Sequence, residues 1–283
     1  MEIIHTIGAL KERVATWKSS GLSVGLVPTM GYLHDGHASL MRHAVHENDR
    51  VIVSIFINPI QFGANEDLGR YPQDIERDKD LCIQAGVDVI FNPSPSEMYP
   101  AGFYTYIDMS VVTDGLCGAK RPGHFRGVCT VVLKLFNITK PDKAYFGQKD
   151  AQQLAVIKTM ARDLNIDVQI VGLPIIREPD GLAMSSRNTY LNEQERAAAP
   201  LLFKALLEAL QIYRQGNTDA QQIKQQIGKV LSSNPLISVD YIEIVDIDTM
   251  QPIETINQPA LCAVAVFIGQ TRLIDNIVLE AGR

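Results

Sequence analysis

Apolar positions in the first two thirds of the chain alternate between short continuous runs and amphipathic stretches. Residues 22–27 form an apolar run that ends in Pro28-Thr29-Met30-Gly31. Residues 38–47 place Leu40, Met41, Ala44 and Val45 on one face of a helix. Residues 50–57 (R-V-I-V-S-I-F-I) are β-branched and nearly all apolar, as expected of a strand covered on both faces of a parallel sheet. Residues 75–85 predict a helix closed by Gly86, and 87–91 a second buried strand. A helix over 128–138, a strand over 143–146, a helix over 150–164 and a strand over 168–171 continue the alternation. Repeated strand–helix–strand units imply an α/β fold with a doubly wound parallel sheet.

The pattern changes after about residue 174. A long helix over 192–214 and a Gln-rich one over 219–231 precede three strands, 239–245, 260–268 and 273–279. Strands in succession with short connections favour antiparallel pairing, and hence a smaller C-terminal α+β domain. The expected division is 1–175 and 176–283. Neither low-complexity tracts nor an internal repeat interrupts it.

Composition narrows the function classes. The 283 residues are 46% hydrophobic and 20% charged, which excludes a wholly disordered chain. A net charge of -6 argues against a general nucleic-acid or anionic-membrane binder. An anionic substrate stays open, because a few local cations suffice. No apolar run approaches the ~20 residues of a membrane helix, and the charged N-terminus has no signal core, so the expectation is a cytoplasmic protein. Cys82, Cys117, Cys129 and Cys262 have neither C-x-x-C nor zinc-finger spacing and are expected to be reduced packing thiols.

The densest chemistry lies in Pro28-Thr29-Met30-Gly31-Tyr32-Leu33-His34-Asp35-Gly36-His37, where a strand ends and a helix begins. A helix N-terminus at the carboxyl end of a strand offers N–H groups and a positive dipole. Gly31 and Gly36 permit close approach of a ligand. His34 and His37 share a face of the first turn and can donate to phosphate oxygens as a pyrophosphate departs. Two surface histidines in a turn, or a metal-ligand pair, would look the same in isolation. Placement after the first strong strand and between glycines favours phosphate.

Other candidates sit at later strand ends. Asn58 and Gln61 offer amides to the hydroxyls and carboxylate of a small polar acid without adding charge. In Gly147-Gln148-Lys149-Asp150, Asp150 fits a helix N-cap with Gln153 completing a capping box. The hydroxyls and guanidinium of Met184-Ser185-Ser186-Arg187 could wrap a triphosphate or form a solvated turn. Arg121 and Arg126 could serve anionic groups. Asp78 is a candidate Mg²⁺ ligand or a solvated helix residue. Trp17, Asp240, Glu243, Asp246 and Asp248 are expected to serve fold or surface.

The string P-T-M-G-x-L-H-x-G-H resembles the signature of the pantoate–β-alanine ligase family. Its H-x-G-H part resembles the HIGH-type motif of nucleotidylyltransferases and class I aminoacyl-tRNA synthetases. Further blocks agree in order: Phe56-Ile57-Asn58-Pro59-Ile60-Gln61-Phe62, Tyr71-Pro72 with Asp78, Met98-Tyr99-Pro100, and Arg121-Pro122-Gly123-His124-Phe125-Arg126-Gly127-Val128. Phe146-Gly147-Gln148-Lys149-Asp150 with Gln152-Gln153, and Asp180-Gly181-Leu182-Ala183-Met184-Ser185-Ser186-Arg187-Asn188, complete the set. Gln148 stands where many members carry Glu, and Met184 where Leu is common.

The resemblance implies a Rossmann-like ATP- and pantoate-binding domain and a C-terminal lid domain. It also implies an ATP-dependent ligation of pantoate and β-alanine through pantoyl adenylate, with Mg²⁺, in a homodimer. It assigns ATP to residues 30–37, 147–150, Ile176 and the 184–187 loop, with Lys149 on the phosphates. It assigns pantoate to Gln61, Gln153 and Asn58, and β-alanine to Gln61. His34, His37 and Lys149 are the expected catalytic groups, with Lys149, Arg187 and Arg121 serving one triphosphate. Small molecules, rather than nucleic acid or membrane, are the expected partners. The alternatives are a nucleotidylyltransferase acting on a phosphate ester and a nucleotide-binding regulatory module.

Overall fold

Strand order places the candidate loops. The computed structural model describes residues 1–64 and 66–280. Six strands, β1 (Glu2–Ile4), β2 (Val24–Thr29), β3 (Arg50–Ile55), β4 (Val89–Phe91), β5 (Lys143–Gly147) and β6 (Gln169–Leu173), form one sheet in the order β1-β4-β3-β2-β5-β6. Every neighbouring pair is parallel. The connections carry α1 (Ile7–Ser19), α2 (Asp35–Glu47), α3 (Ile75–Ala85), α4 (Pro95–Met98), α5 (Leu116–Lys120), α6 (His124–Thr139) and α7 (Ala151–Asp163). Strand β1 and helix α1 precede the first strand expected from the sequence.

The central strands are nearly all apolar, as expected of a sheet covered on both faces, with only Thr29 and Ser54 as buried polar residues at the ends of β2 and β3. Val27, Val51 and Val53 pack with Leu33, Met41, Ala44 and Cys82 in one continuous core. Helix α3 ends where expected, at Gly86, whose φ of 84° suits a residue without Cβ. Strand β2 lies between β3 and β5, and the strand order reverses there. Ligands of open α/β sheets bind outside the carboxyl ends of the strands at such a switch point. The loops that leave β2 and β5 are Met30–His37 and Gln148 onward.

The C-terminal strands β7 (Ile237–Asp246), β8 (Ala260–Ile268) and β9 (Thr271–Leu279) pair antiparallel in chain order. Helices α8 (Glu193–Ala198), α9 (Leu201–Arg214) and α10 (Ala220–Leu231) supply Ala198, Leu202, Leu206, Ile223 and Ile227 to a core with Cys262, Val264 and Val266. The single helix expected over 192–214 is two. Pro200 lacks an N–H and its ring would crowd the carbonyl four residues back, so α8 stops before it and α9 starts after it. Asn192 and Glu195 form a capping box at the start of α8.

Two units emerge from the contacts within the chain. The first holds 1–109, 121–148 and 156–174; the second holds 110–120, 149–155 and 175–283. Two early segments therefore pack with the C-terminal sheet, unlike a division into two continuous stretches. Leu116 and Ala155 share a cluster with Val245, Leu261 and Ala263. All four cysteines are unpaired and buried. Among the described residues, no helix is long and apolar enough to cross a membrane.

Candidate active site

In the first unit, the turn after β2 is built to aim two imidazoles. Thr29 Oγ1 donates to the Ser54 carbonyl and accepts from Gly31 N–H at 3.2 Å, tying the end of β2 to β3. Gly31 then takes φ 87° and Tyr32 φ 52°. A Cβ on Gly31 would lie 3.1 Å from Asp78 Oδ2 and 3.0 Å from Ile55, so only glycine fits without displacement. Asp78 locks the turn: its Oδ2 accepts from Tyr32 N at 2.8 Å and its Oδ1 from Leu33 N at 2.6 Å.

Helix α2 begins in this turn rather than after it. His34 is its N-cap and His37 its third residue, and together they form a capping box. Gly36 N donates to His34 Nδ1 at 3.1 Å, and His34 N donates to His37 Nδ1 at 3.3 Å. A ring nitrogen that accepts from a backbone amide carries no proton, so in both neutral rings the proton sits on Nε2. The rings lie 4.1 Å apart. The caps thus turn two histidines into a pair of Nε2–H donors at a helix N-terminus, where the dipole also favours an anion.

The backbone of the turn is largely spent on itself. The amides of Tyr32 and Leu33 donate to Asp78 and those of Gly31 and Gly36 to side chains, so these four N–H groups shape the turn. Met30 and the exposed Asp35 flank it. Asp78 itself is 1% exposed, which corrects the expectation of a solvated helix residue. Burial pushes its carboxyl up, and the two backbone donors pull it only part of the way back.

A second cluster in the same unit surrounds Gln61, in a 3₁₀ turn over Pro59–Gln61. Asn58 Nδ2 donates to Gln61 Oε1 and to the Gly127 carbonyl, both at 3.0 Å. Tyr99 OH donates to Asn58 Oδ1 at 2.8 Å. Gln61 Nε2 points to Met30 Sδ at 3.2 Å, bringing this amide to the residue that opens the histidine turn. With Oε1 already accepting, Gln61 presents its NH₂ edge, the donor face that a carboxylate or hydroxyl oxygen needs. Helix α6 approaches so closely that a Cβ on Gly127 would lie 2.5 Å from Gln61 Cα.

Arg121 departs from its expected role as a phosphate ligand. Glu66 holds it by two hydrogen bonds of 2.7 and 2.6 Å, and Nη1 reaches His124 Nε2. Arg126 pairs with Asp108 at 3.4 Å and lies over the Tyr106 ring. Helix α6 begins at His124, four residues before the expected start, so what read as a polar loop is partly helical and His124 is buried.

In the second unit, residues 176–184 fold back as a hairpin. Met184 N donates to the Ile176 carbonyl and Glu178 N to the Leu182 carbonyl. Gly181, at φ 93°, turns the chain against Phe203. The hairpin is fastened from three sides. Arg177 makes two bonds to Asp275, Arg196 bonds Glu178 and Asp180, and Asn188 bonds Glu178 and the Ala183 carbonyl. It ends in Met184-Ser185-Ser186-Arg187, where Ser185 Oγ caps a 3₁₀ turn by accepting from Arg187 N.

Strand β9 links this hairpin to Lys149. Asp275, 3% exposed, accepts from Asn276 N, and Asn276 Nδ2 donates to the Lys149 carbonyl at 2.9 Å. Lys149 Nζ lies 3.7 Å from Asp150, in a 3₁₀ turn that runs directly into α7. Gln152 is buried and donates to the carbonyls of Val112 and Gly115, while Gln153 is half-buried on the same helix. Asp275 and Asn276 carry no motif signal. Their trace in the sequence is two adjacent polar residues inside the otherwise apolar Leu273–Leu279.

The described residues build no metal cage. No three His, Cys, Asp or Glu side chains among them are grouped to hold an ion. Asp78, expected from the sequence as a candidate Mg²⁺ ligand, is 1% exposed with both oxygens turned inward onto backbone amides, a poor fit to a ligand for a metal on an exposed triphosphate.

Comparison with known proteins agrees with this geometry over nearly the whole chain. Residues 2–278 match the family model described as pantoate-beta-alanine ligase. A pantothenate synthetase of Clostridium acetobutylicum is 56% identical over 276 residues, covering 98% of each chain. One from Pelotomaculum thermopropionicum is 55% identical over 279 residues, covering 99% of each. The crystal structure of a Thermus thermophilus pantothenate synthetase superposes with a TM-score of 0.93 at 43% identity, covering 99% of this chain and 100% of that one. A Francisella tularensis pantoate-beta-alanine ligase, complexed with beta-gamma ATP and beta-alanine, has a TM-score of 0.82 at 36% identity, covering 100% of this chain and 99% of that one.

Proposed function

The chain belongs to the pantoate–β-alanine ligase family and is an ATP-dependent ligase joining pantoate to β-alanine, and we propose that it does so through pantoyl adenylate. The observation that carries this reading is the pair of Nε2–H donors fixed by the His34–His37 capping box. A carboxylate forms no amide at neutral pH until it carries a good leaving group. Pantoate's carboxylate attacks the α-phosphorus of ATP, and pyrophosphate leaves. The β-alanine amine then attacks the acyl carbon, and AMP leaves with pantothenate.

Each group follows from its donors. His34 and His37 stabilise charge building on the phosphates, and His37 is the candidate to hand a proton to the leaving group. Lys149 and Arg187 bind phosphate, with Ser185 and Ser186 donating hydroxyls. Gln148, Gly147, Asp150, Ile176 and Met184 complete the nucleotide contacts. Gln61 and Gln153 hold pantoate and Gln61 also meets β-alanine, while Asn58, expected from the sequence to bind pantoate directly, has both Nδ2 hydrogens on Gln61 and Gly127 and serves by holding the Gln61 amide. Mg²⁺ arrives on the phosphates of ATP, where ions of its type keep most ligands as water and phosphate oxygen. Assembly as a homodimer in the cytoplasm belongs to the same reading, and light scattering of the purified chain tests the first part.

The decisive experiment is isotope exchange between pyrophosphate and ATP. Exchange that requires pantoate and proceeds without β-alanine supports the adenylate. Exchange that requires β-alanine would mean a concerted condensation and overturn it. A phosphorylated acceptor in place of pantoate should give no exchange.

A further inference from the structure

His124 opens helix α6, is 8% exposed and is hydrogen-bonded at both ring nitrogens. Its Nδ1 lies 2.9 Å from the Gln61 carbonyl oxygen, and its Nε2 lies 3.0 Å from Arg121 Nη1. A carbonyl oxygen can only accept and a guanidinium can only donate. One state satisfies both contacts: a neutral ring with its proton on Nδ1. Histidines 34 and 37 have the opposite tautomer, so the first unit uses both forms of the neutral ring.

Arg121 cannot turn aside to relax this arrangement. Glu66 grips it at Nε and Nη2 with the fork-to-fork geometry that fixes a guanidinium plane. The side chains of the pair are only 15% and 24% exposed. Gln61 is therefore held at two points. His124 fixes its backbone through the carbonyl, and Asn58, itself pinned by Tyr99, fixes its amide. Helix α6 supplies both the His124 ring and the close Gly127 backbone that receives Asn58.

We propose that His124 is a positioning residue for pantoate: its Nδ1–H sets the Gln61 backbone, and hence the donor edge of the Gln61 amide, while Arg121 and Glu66 lock the tautomer. The proposal rests on the reading of Gln61 as a pantoate ligand. Small displacements matter here, because misplacing a substrate-orienting group by about 1 Å can cost on the order of 10²-fold in rate.

Two substitutions separate the two ring nitrogens. His124→Asn places an NH₂ near the Nδ1 position and keeps the donor to Gln61. His124→Gln reaches the Nε2 position and loses that donor. His124→Gln should weaken pantoate binding by calorimetry and raise the pantoate KM by about 5- to 10-fold, the loss expected for one hydrogen bond, with the ATP KM unchanged. His124→Asn should restore both to within about 3-fold. Equal damage from both variants, or a parallel rise in the ATP and pantoate KM values, would overturn the proposal in favour of a packing role.

A second measurement needs no variant. ¹⁵N spectra of the histidine rings in the intact wild-type chain, assigned through couplings to the backbone, should show His124 neutral and protonated on Nδ1 at neutral pH. An imidazolium or an Nε2–H ring refutes the locked tautomer. If the wild-type chain makes no pantothenate, the reading of Gln61 falls, and the tautomer result stands apart from it.

Discussion

The Oδ1 atom of Asp78 accepts the backbone N–H of Leu33 at 2.6 Å, across 45 residues of chain. The companion bond to Tyr32 makes Asp78 the internal anion of the turn that carries His34 and His37. Asp78→Ala leaves two amides without an acceptor, one of them on the fully buried Leu33. The expected cost is about 2–4 kcal/mol in urea unfolding, with a fall in kcat of at least about 10-fold as the histidines lose their aim. A large excess of Mg²⁺ should not restore the rate; full rescue by metal would return Asp78 to the role of ligand.

The two nitrogens of His37 carry separable tasks. His37→Asn keeps an acceptor near the Nδ1 position for His34 N, and so keeps the cap. His37→Gln keeps a donor near the Nε2 position. The Asn variant should melt like the wild type and lose about 10²–10³ in kcat, the usual cost of one donor to developing charge. The Gln variant, whose Oε1 can accept from His34 N as Gln does in an ordinary capping box, should also melt like the wild type and retain the greater activity. The reverse ranking in activity would show that the Nε2 donor of His37 does not serve the chemistry.

The Glu66–Arg121 pair makes stability depend on pH in a defined direction. Burial would raise the Glu66 carboxyl, but the hydrogen bonds and charge of Arg121 outweigh it and hold the carboxyl below its ordinary value of 4.5. A carboxyl lowered in the folded state binds fewer protons there than in the unfolded chain. Its contribution is full above the unfolded value and lost as pH falls through the folded one. Glu66→Gln should therefore cost about 1–2 kcal/mol near neutral pH, and the gap to wild type should close below 4.5. A gap that widens on acidification contradicts this.

Asp275 supports the hairpin before Ser185 and the backbone of Lys149 together. Asp275→Ala leaves the Arg177 guanidinium without its carboxylate, and breaking a buried pair from one side costs about 3–5 kcal/mol. Asn276→Ala removes the bond to the Lys149 carbonyl and leaves the Arg177–Asp275 pair in place. It should be milder in thermal melts, yet should raise the KM for ATP while leaving that for pantoate in place. An unchanged ATP KM would detach Asn276 from Lys149's task.

What the sequence revealed, and what it hid, follows from the range of the interactions. Strands β3, β5 and β8 and helix α3 were legible because burial on both faces, or a glycine stop, leaves a local mark. The histidine turn was legible too, although its helix begins at Asp35 rather than three residues later, because the two histidines that mark the motif are also the residues that cap the helix. The roles of Asp78, His124 and Asn276 were not legible. Each acts on a residue 45, 63 or 127 positions away, and no local pattern records such a bond. Arg121 misled for the same reason: a cation in a polar stretch reads as available, while its carboxylate partner lies 55 residues earlier.

The neutral amide cluster around Gln61 has a consequence for reactivity. A guanidinium would bind a free carboxylate tightly, but it would hold the charge that must be given up when the oxygen bonds to phosphorus. Attraction of that kind deepens the resting complex more than the transition state and slows the step it serves. In the proposed pantoate site, Gln61 would grip the acid by a dipole alone, with Asn58 and Tyr99 supporting it from behind. On that reading the oxygen so held would keep its electron density for attack, and the neutral acyl group that follows would fit the same amide. Weak recognition of the acid would then be a condition for using it as a nucleophile.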